Sequence, residues 1–469
     1  MPHLPIPNDT SARHHLGTVV ITGGTGAIGR ELAVKLLLAG YSVHILTRNA
    51  KRARQQSDLP VSWIEWDPET ILDPSIVEGI EALIHLAGEP VAKRRWSANQ
   101  KSKILSSRIH TTRQLSQAIE TTRIPPKVVI STSAIGYYGD RGDTELTEAA
   151  SVGSTFLANV CQAWENEIRP VSNRSRLAIV RVGIVLDTAH GALAEMLPVF
   201  RLGIGSPLGG GKQWMSWIHH DDLTNLYLHI LKTDTVSGIV NGVAPHPVTN
   251  QMWTSLLGRA LGRWTGPRIP ALFLRLALGE MSDIVLFSQK VMPMVAIASG
   301  FDYRYRTLTD ALSALIAPNG WKNAYRLTAV QWIDQSPETV FKFFSNAYNL
   351  EQITPPWLTF KIERLSGTLA EGTTIDYRLK IKGIPIKWRT LISQWEPITQ
   401  FRDEMIWGPY RTWHHTHTFE PVAGGTLMTD SVVYRLPFGV LGDIAAIVMV
   451  NRDIRSIFQY RKSAIVGRI

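Results

Sequence analysis

The chain has almost no cysteine: Cys161 is the one such residue among 469. A single cysteine excludes an internal disulfide and any metal site built from several thiolates. Long uncharged apolar runs are missing too, because Arg275, Glu280, Asp283 and Asp443 interrupt the two most hydrophobic stretches. We therefore expect no membrane-spanning helix.

The first residues also lack something, namely the apolar core of a secretory signal peptide. Residues 1–16 are polar and rich in proline and histidine, and we interpret them as a disordered lead-in. Together with the single cysteine, this favours a cytoplasmic protein.

Acidic residues are outnumbered, and the net charge is +10. Such a charge can indicate a nucleic-acid or membrane-surface partner. Here the basic residues are scattered. Binding of a phosphorylated cofactor explains the local clusters at 51–54 and 93–95 more simply than binding of nucleic acid. We expect a small-molecule partner and no nucleic acid, and the sequence leaves the oligomeric state open.

The chain begins its ordered part with a strand–helix–strand pattern. Residues 18–22 (TVVIT) and 41–47 (YSVHILT) have the composition of buried strands, and an apolar-periodic helix at 30–40 lies between them. The glycine-rich segment GGTGAIG joins the first strand to the helix. This context predicts an α/β domain with a Rossmann-type, doubly wound parallel sheet.

Each glycine of that segment has a separate expected use. Gly23 permits the tight turn, Gly26 lets the backbone approach a pyrophosphate, and Gly29 lets the helix pack close to the strand. Unpaired N–H groups at the helix start then face the phosphates. The predicted phosphate-binding residues are Gly23, Thr25, Gly26, Ala27, Ile28 and Gly29.

The second strand ends in Thr47-Arg48, where an NAD-specific site would place an acidic residue against the ribose. A carboxylate there would repel a 2′-phosphate, whereas Arg48 offers charge-assisted hydrogen bonds. We therefore predict NADP(H) as the cofactor, with Thr47 and Arg48 in its site. The alternative is that Arg48 only faces solvent.

Two later strands end in small or hydroxyl-bearing residues, at 82–88 (ALIHLAG) and 127–139 (KVVISTSAIGYYG). Ligands bind at the carboxyl ends of parallel strands. Asp67 follows a third strand and either contacts the adenine or forms a surface turn. The further predicted cofactor residues are Asp67, Leu86, Ala87, Gly88, Ser131 and Thr132.

Several motifs, taken in order, resemble the extended short-chain dehydrogenase/reductase superfamily, also called the NAD-dependent epimerase/dehydratase family. They are ITGGTGAIG, HLAGEPVAKRRW, STSAIGYYG, RVGIVLD and WIHHDDL. The segments FLANVCQAWE, GGGKQWMSWIHHDDL and the stretch from residue 269 are similar to its sugar nucleotide epimerase-like subfamily. The resemblance covers about residues 17–315, and it implies a Rossmann fold with bound NADP(H).

In that superfamily a serine, a tyrosine and a lysine usually act together: the tyrosine passes a proton, the lysine lowers its pKa and the serine orients the substrate. Ser133 matches the serine, but Phe156 and Val160 stand near the tyrosine and lysine positions. Losing a positioned acid or base costs about 10²–10⁴ in rate. Whether the chain is an enzyme therefore stays open.

Other residues are possible substitutes for that pair. Tyr137 and Tyr138 follow Ser133 at the active end of the strand, and Arg141 could depress the pKa of a phenol. We take Ser133, Tyr137 and Tyr138 as the catalytic candidates. Cys161 is expected to be a buried structural thiol, and Glu165, near it on the same segment, a packing partner.

Two further groups have alternative interpretations. His219 and His220 either close the substrate pocket, as the resemblance implies, or precede an N-cap formed by Asp221 and Asp222. Lys101 and Arg108 lie seven residues apart on one helix face. Their side chains either point at the site, where they would suit an anionic substrate, or form a solvated surface.

The pattern changes after residue 315. We predict a first domain at 17–265, a helical extension at 266–316, a linker at 317–324 and a second domain at 325–469. Residues 336–337 (Ser-Pro) open a helix, and alternating segments follow, such as 373–381. The order resembles the START-like group that includes polyketide cyclases and dehydrases, which implies an α+β helix-grip domain with a curved antiparallel sheet around an apolar ligand.

Large rings are frequent in this second domain, and they either line a cavity or fill the core; we favour the cavity. They are Trp332, Trp357, Trp388, Trp395, Trp407 and Trp413. His414, His415 and His417 suggest a metal, but no acidic or cysteine partner is nearby in the sequence. We therefore expect cross-strand packing or cavity lining, and no metal site.

Two functions compete. The first is an NADP(H)-dependent reductase or epimerase-like enzyme whose second domain holds a hydrophobic or carbonyl-containing substrate. The second is a non-catalytic protein that senses NADP(H) and a lipid-like ligand. A tethered cavity raises the local ligand concentration beside the cofactor, and both functions would use it.

Overall fold

The computed structural model describes residues 16–469. The disordered lead-in predicted for residues 1–16 falls outside the described residues, Leu16 apart. Two seven-stranded sheets, one parallel and one antiparallel, organise the chain. They correspond to the predicted Rossmann-type domain and the predicted helix-grip domain.

The strands of the first part are β1 (Thr18–Thr22), β2 (Ser42–Thr47), β3 (Ser62–Glu65), β4 (Ala82–His85), β5 (Val128–Ala134), β6 (Glu145–Leu146), β7 (Arg176–Val182), β8 (Ile184–Leu186), β9 (Trp214–Met215), β10 (Trp217–His219), β11 (Gly238–Gly242), β12 (Val248–Thr249) and β13 (Lys290–Val291). Its helices are α1 (Ala27–Leu38), α2 (Ala50–Gln56), α3 (Ala98–Thr121), α4 (Phe156–Ile168), α5 (Gly191–Arg201), α6 (His220–Lys232), α7 (Asn250–Leu261), α8 (Ala271–Leu278), α9 (Asp283–Leu286), α10 (Met294–Ala298) and α11 (Leu308–Ile316).

The parallel sheet has the order β11-β7-β5-β4-β1-β2-β3. Its strands are buried on both faces: Val19 and Ile21 of β1 pack in one hydrophobic cluster with α1 and α6, and Val20 packs in another with α3. The strand order reverses between β1 and β4, where an open crevice forms at the carboxyl ends. That crevice positions the site described below.

The second part contains the strands β14 (Tyr325–Ile333), β15 (Lys361–Leu365), β16 (Thr374–Ile381), β17 (Ile384–Glu396), β18 (Gln400–Trp407), β19 (Thr412–Val422) and β20 (Gly425–Arg435). Its helices are α12 (Pro337–Phe344), α13 (Asn349–Ile353), α14 (Val440–Ala445) and α15 (Asn451–Ile465), with a π-helical turn at Ala446–Val450.

The antiparallel sheet runs β14-β20-β19-β18-β17-β16-β15. Register shifts interrupt the pairing of β15 with β16 and of β17 with β18, and bulges of this kind bend a sheet. The concave face receives α15, whose Phe458 and Ile465 pack among residues of β14, β19 and β20. This arrangement encloses a cavity between sheet and helix.

The two parts share an interface. Val422 and Leu427, at the turn between β19 and β20, belong to the same hydrophobic cluster as α1 and α6 of the first part. At the other end of β14, where Tyr325 lies, the buried carboxylate of Asp443 accepts hydrogen bonds from Arg263, Asn323 and Tyr325. The interface is therefore both apolar and charge-paired.

No helix between residues 16 and 469 is long and apolar enough to span a bilayer. The proposed linker at 317–324 falls between the end of α11 at Ile316 and the start of β14 at Tyr325. The sequence-based boundaries remain our proposal for the domain division.

Candidate cofactor and substrate site

The turn between β1 and α1 has a backbone that glycine makes possible. Gly23 has a φ of +71°, in the left-handed region. A Cβ there would lie 2.9 Å from the backbone of Leu86 and Ala87, so the end of β4 passes directly beside this turn. Two of the predicted cofactor segments are thus adjacent.

The start of α1 is free to bind an anion. Gly26 is the N-cap and supplies no side-chain hydrogen bond, which leaves the first N–H groups without a capping acceptor. A Cβ on Gly29 would lie 2.6 Å from the carbonyl oxygen of Gly23. Helix and turn therefore pack at a distance that only glycine allows. Thr25 accepts a hydrogen bond on its carbonyl from Arg30 Nε at 2.7 Å.

Arg48 follows β2 and is exposed, with no hydrogen bond or ion pair to any described residue. The next residue, Asn49, caps α2 through Arg52 N at 2.8 Å. Asp67 occupies a surface turn in which its Oδ1 accepts from Glu69 N at 3.1 Å. Arg48 is therefore free to bind a phosphate. Asp67 forms a surface turn, which was one of the two alternatives for this residue.

Buried hydroxyls hold the strand ends in place. His85, fully buried, lies 2.6 Å from Thr22 Oγ1 through Nδ1 and 2.9 Å from Thr112 Oγ1 through Nε2. Burial, and secondarily the charge of Arg108, lowers the pKa of His85 to about 3. Thr132 Oγ1 pairs with Tyr227 Oη at 2.6 Å. These contacts occupy the hydroxyl of Thr132, a predicted cofactor residue.

A pocket of about 220 Å³ opens at the carboxyl ends of β5 and β7. Ala134 and Gly136 lie on one side of it, and residues of the extension after residue 266 lie on another. Its described lining is Val91, Arg108, Ala134, Ile135, Gly136, Thr155, Leu157, Val160, Cys161, Trp164, Val182, Gly183, Ile184, Trp214, Met215, Ser216, Asp283, Ile284, Val285, Phe287 and Gln289.

The segment at 156–165 forms α4, capped by Thr155 through Ala158 N at 3.2 Å. Val160 lines the pocket with 2% of its surface exposed. Phe156 packs edge-on against Trp96, and the ammonium of Lys101 lies 5.0 Å from its ring centre. An apolar surface therefore stands where a tyrosine and a lysine would be expected.

Arg108 points at the pocket. Its Nη1 donates to the carbonyl oxygens of Glu89 and Ile104, each at 3.0 Å. A Cβ on Gly88 would lie 3.1 Å from its guanidinium carbon, and burial lowers the pKa of Arg108. Lys101, seven residues before it, instead contacts Glu280. Of the two residues predicted either to point at the site or to face solvent, Arg108 therefore points at the pocket.

Ser133 and Tyr138 belong to a buried network behind the pocket. Ser133 Oγ donates to Glu165 Oε1 at 2.8 Å, and Arg181 holds both oxygens of Glu165 at 2.8 Å. Tyr138 is 0% exposed; its hydroxyl donates to Asn241 at 2.7 Å and accepts from Arg181 at 3.1 Å.

Neither Tyr137 nor Tyr138 is among the described residues that line the pocket. Burial raises the pKa of Tyr138. Arg141, which the sequence suggested as an activator of this phenol, donates instead to the Tyr138 carbonyl oxygen at 3.0 Å. The guanidinium of Arg181 lies 3.3 Å from the ring centre of Tyr137. Sequence reasoning missed Arg181, whose only local signal is its position at the end of a buried strand.

Besides Arg108, the ionisable groups in the described lining are Cys161 and Asp283. Burial, and then Glu165, raises the pKa of the Cys161 thiol to about 11, as expected for a structural thiol. Burial likewise raises the pKa of Asp283. A carboxyl group whose pKa is raised in a pocket is a candidate general acid.

The N-cap predicted for Asp221 and Asp222 is wrong. His219 caps α6, because its Nδ1 accepts from Asp221 N at 3.0 Å. Asp221 pairs with Lys35, and Asp222 accepts from the backbone of Arg304 and Tyr305. Both carboxylates are held by residues distant in sequence, which a local N-cap pattern does not reveal.

The histidine pair does not close the pocket: neither His219 nor His220 is in its described lining. His219 stacks on Tyr305 with ring centres 4.0 Å apart, and His220 Nδ1 lies 2.6 Å from Glu31 Oε2. Both rings therefore hold α6 against neighbouring elements.

The second domain encloses a cavity of about 190 Å³ between its sheet and α15. Ile375, Tyr377, Leu379 and Ile381 line it from one face of β16, as the alternation predicted. Trp388 and Trp413 line this cavity, and Trp357 lines a separate pocket of about 700 Å³ beside α14 and α15.

The remaining three, Trp332, Trp395 and Trp407, are in the described lining of neither pocket. Trp357 and Trp407 are more than half exposed, Trp395 packs on Phe341, and Trp332 packs at the interface between the two domains. The number of tryptophans in the sequence does not reveal which of them face the inside of the sheet.

One wall of that cavity is polar. His415 and His417 lie beside Asp403 and Asp430, which come from the neighbouring strands. The reason for expecting no metal, the lack of an acidic partner, is therefore wrong, because strand pairing supplies two. His414 faces the other side of β19, against Trp321 and Glu404.

Three family models match separate parts of the chain. The NAD dependent epimerase/dehydratase family matches residues 19–157, a domain of unknown function (DUF1731) matches 269–315, and the polyketide cyclase/dehydrase and lipid transport family matches 333–460. The matches follow the order of the elements described above.

Similar proteins cover the first part. The chain is 37% identical over 304 residues to the epimerase family protein SDR39U1 homolog, chloroplastic, of Arabidopsis thaliana, across 64% of this chain and 86% of that protein. The crystal structure of human epimerase family protein SDR39U1 with NADPH is 32% identical with a TM-score of 0.58, across 64% and 98% of the two chains. A nucleoside-diphosphate sugar epimerase from Corynebacterium glutamicum is 30% identical with a TM-score of 0.53, across 66% and 59%.

Proposed function

This chain belongs to the epimerase family that includes the SDR39U1 proteins, and from that premise we propose that it binds NADP(H) in its first domain. We further propose a reductase or epimerase-like reaction on an apolar or carbonyl-containing small molecule. One observation carries the proposal: Gly23 abuts the end of β4, Gly88 abuts Arg108, and Arg108 lines the pocket. The phosphate-binding turn and the pocket are thus contiguous.

Arg48 is our proposed ligand for the 2′-phosphate. Each charge-assisted hydrogen bond contributes about 1.5–3 kcal/mol, so Arg48→Asp should weaken NADPH binding about 10- to 100-fold and spare NADH. Calorimetric titration of both cofactors measures this. Arg306→Asp is the control, since Arg306 is exposed and lies outside the proposed cofactor site. Unchanged NADPH affinity in Arg48→Asp would contradict the assignment of Arg48 to the 2′-phosphate.

Asp283 is our proposal for the group that passes a proton in place of the missing tyrosine. It lines the pocket, and burial raises its pKa. Asp283→Asn should lower kcat for NADPH-dependent carbonyl reduction by about 10²–10⁴. Glu195→Gln, which changes an exposed carboxylate on α5 outside the described pocket lining, is the control.

Ser133, Tyr137 and Tyr138 remain alternatives that the same assay separates. Ser133→Ala and Tyr138→Phe disturb the network around Arg181, so we expect lower stability with a smaller change in kcat. A loss of kcat in Tyr138→Phe but not in Asp283→Asn would indicate that Tyr138, and not Asp283, transfers the proton. Tyr137→Phe should change neither quantity.

A non-catalytic sensor of NADP(H) is the second candidate function. The apolar surface of Phe156 and Val160 in place of the proton-transferring pair favours it. Tight NADPH binding without oxidation of NADPH across a panel of carbonyl compounds would support this function. Measurable turnover with any of them would exclude it.

The second cavity is our proposed site for the apolar ligand. Its lining is mainly aromatic and aliphatic, which suits a hydrophobic molecule. Organic extraction of the purified full-length protein, followed by mass spectrometry, should recover such a molecule. We also propose that the protein acts in the cytoplasm, and subcellular fractionation tests that placement.

A further inference from the structure

The polar wall of the second cavity contains an ordered group of metal-ligand side chains. Asp403 on β18 pairs in register with His415 on β19, and His417 follows two residues later on the same face. Asp403 Oδ2 lies 3.3 Å from His415 Nδ1 and 3.4 Å from His417 Nε2. One ligand atom from each residue falls within 4.8 Å of the other two.

These separations fit a shared ion. Charge-assisted N–H···O contacts are shorter, about 2.7–2.9 Å. Zinc bonds to histidine nitrogen and carboxylate oxygen of about 2.0–2.2 Å place neighbouring ligands of a tetrahedron about 3.3–3.5 Å apart. Both distances from Asp403 Oδ2 fall at this spacing.

The opposite nitrogen of each ring contacts a second carboxylate. Asp430 Oδ1, on β20, lies 2.9 Å from His415 Nε2 and 2.7 Å from His417 Nδ1. Metal-binding histidines commonly present their other ring nitrogen to a carboxylate, which fixes the tautomer and orients the ring. His415 meets this arrangement through a hydrogen bond to Asp430, whereas His417 Nδ1 lies close to the same carboxylate without hydrogen-bond geometry.

The side that faces the cavity is open to a ligand. Asp403, His415, His417 and Arg461 line the cavity, whereas Asp430 is not in its described lining. Arg461 is 9% exposed, and its Nε and Nη1 have no hydrogen-bond partner among the described residues. Its Nη1 lies 3.8 Å from Asp430 Oδ1. A buried guanidinium that lines the same cavity and has two nitrogens without a hydrogen bond suits an oxygen-bearing group on an otherwise apolar molecule.

We propose that Asp403, His415 and His417 bind a divalent transition-metal ion, with zinc as the expected occupant. Two histidines and one carboxylate leave a coordination position open, as in catalytic zinc sites. Water or the carbonyl or carboxylate oxygen of a cavity ligand occupies that position, and Arg461 stabilises the oxygen's charge. This site is independent of the NADP(H) site.

The test uses the full-length protein, stripped of metal with a chelator and then titrated with Zn²⁺ by calorimetry. We expect one ion per chain, and Co²⁺ loading should give the visible absorption of a four- or five-coordinate nitrogen–oxygen site. Asp403→Asn and His415→Gln should each weaken Zn²⁺ binding at least 100-fold, and Asp430→Asn about 10- to 100-fold.

His414→Gln is the matched control, because His414 lies on the same strand and faces away from the cluster; its metal content should stay at one ion. Anaerobic titration with Fe²⁺ distinguishes Zn²⁺ from Fe²⁺ as the bound ion. Preferential Fe²⁺ binding would confirm the metal site and identify iron as its occupant. Absence of the Co²⁺ spectrum in the wild-type protein would overturn the proposal without any variant. Equal Zn²⁺ affinity in Asp403→Asn, His415→Gln and wild type would overturn it as well.

Discussion

His85 stays neutral in the folded protein because it is buried between two threonine hydroxyls. Its pKa in the folded state is about 3, below the ordinary 6.5. Below pH 6.5 the unfolded chain therefore takes up a proton that the folded chain does not. This contribution to stability is complete above pH 6.5 and is lost as the pH falls toward 3.

From this difference we expect His85 to contribute about 2 kcal/mol to the loss of unfolding free energy between pH 7 and pH 5. His85→Gln should remove that part of the pH dependence, although it lowers stability at pH 7. Urea denaturation at the two pH values measures the effect. His190→Gln, at an exposed position, is the control and should keep the wild-type slope.

Cys161 provides a second test at the residue scale. Its thiol is buried with a pKa of about 11, so little thiolate exists at pH 8. We expect disulfide reagents to react with the native protein at least 100-fold more slowly than with the urea-unfolded chain. Asn159→Cys in a Cys161→Ala background places a thiol on the exposed face of α4 and should react rapidly. Equal rates would contradict the burial of Cys161.

At the scale of elements, the turn between β1 and α1 depends on contact between glycines. A Cβ on Gly29 would lie 2.6 Å from Gly23 O and from Gly24 Cα. Gly29→Ala should therefore destabilise the protein by about 1–3 kcal/mol and weaken NADPH binding, because the start of α1 must move. Gly210→Ala, where no atom lies within 4 Å of the new Cβ, should change neither. Denaturation and calorimetry measure both quantities.

Elements were predictable where the signal is local. The alternation along 374–381 and the Ser336–Pro337 start of α12 appear in the sequence, and the structure confirms both. The Rossmann-type parallel sheet of the first domain was predicted from the glycine motif and the strand–helix–strand pattern around it. Local pattern sufficed because each feature depends on residues a few positions apart.

The site depended on contacts that no local pattern contains. Glu165 meets Arg181 through the packing of α4 against β7, and Asp403 meets His415 through the register of two strands. Neither pair is visible as a motif, since the spacing between partners is set by the fold. The same reason explains why Tyr138, beside Ser133 in sequence, turned into the core.

At the scale of the whole molecule, Asp443 connects both domains. Its buried carboxylate accepts from Arg263 of the first domain and from Tyr325 of the second. Asp443→Ala leaves these donors unpaired, and we expect a loss of about 3–5 kcal/mol in unfolding free energy. Asp453→Ala, which removes a partly exposed pair with Lys382, should cost less than about 1 kcal/mol. Chemical denaturation compares the two, and similar losses would show that Asp443 is not a central contact.

The apolar part of that interface has a practical consequence. Since Val422 and Leu427 pack in the core cluster of the first domain, neither domain can unfold without exposing the other. A ligand at 100 times its dissociation constant adds about 2.7 kcal/mol to the folded state it binds. NADPH and a cavity ligand, although they bind separately, should therefore raise one shared melting temperature, so that a single thermal transition reports the occupancy of both domains.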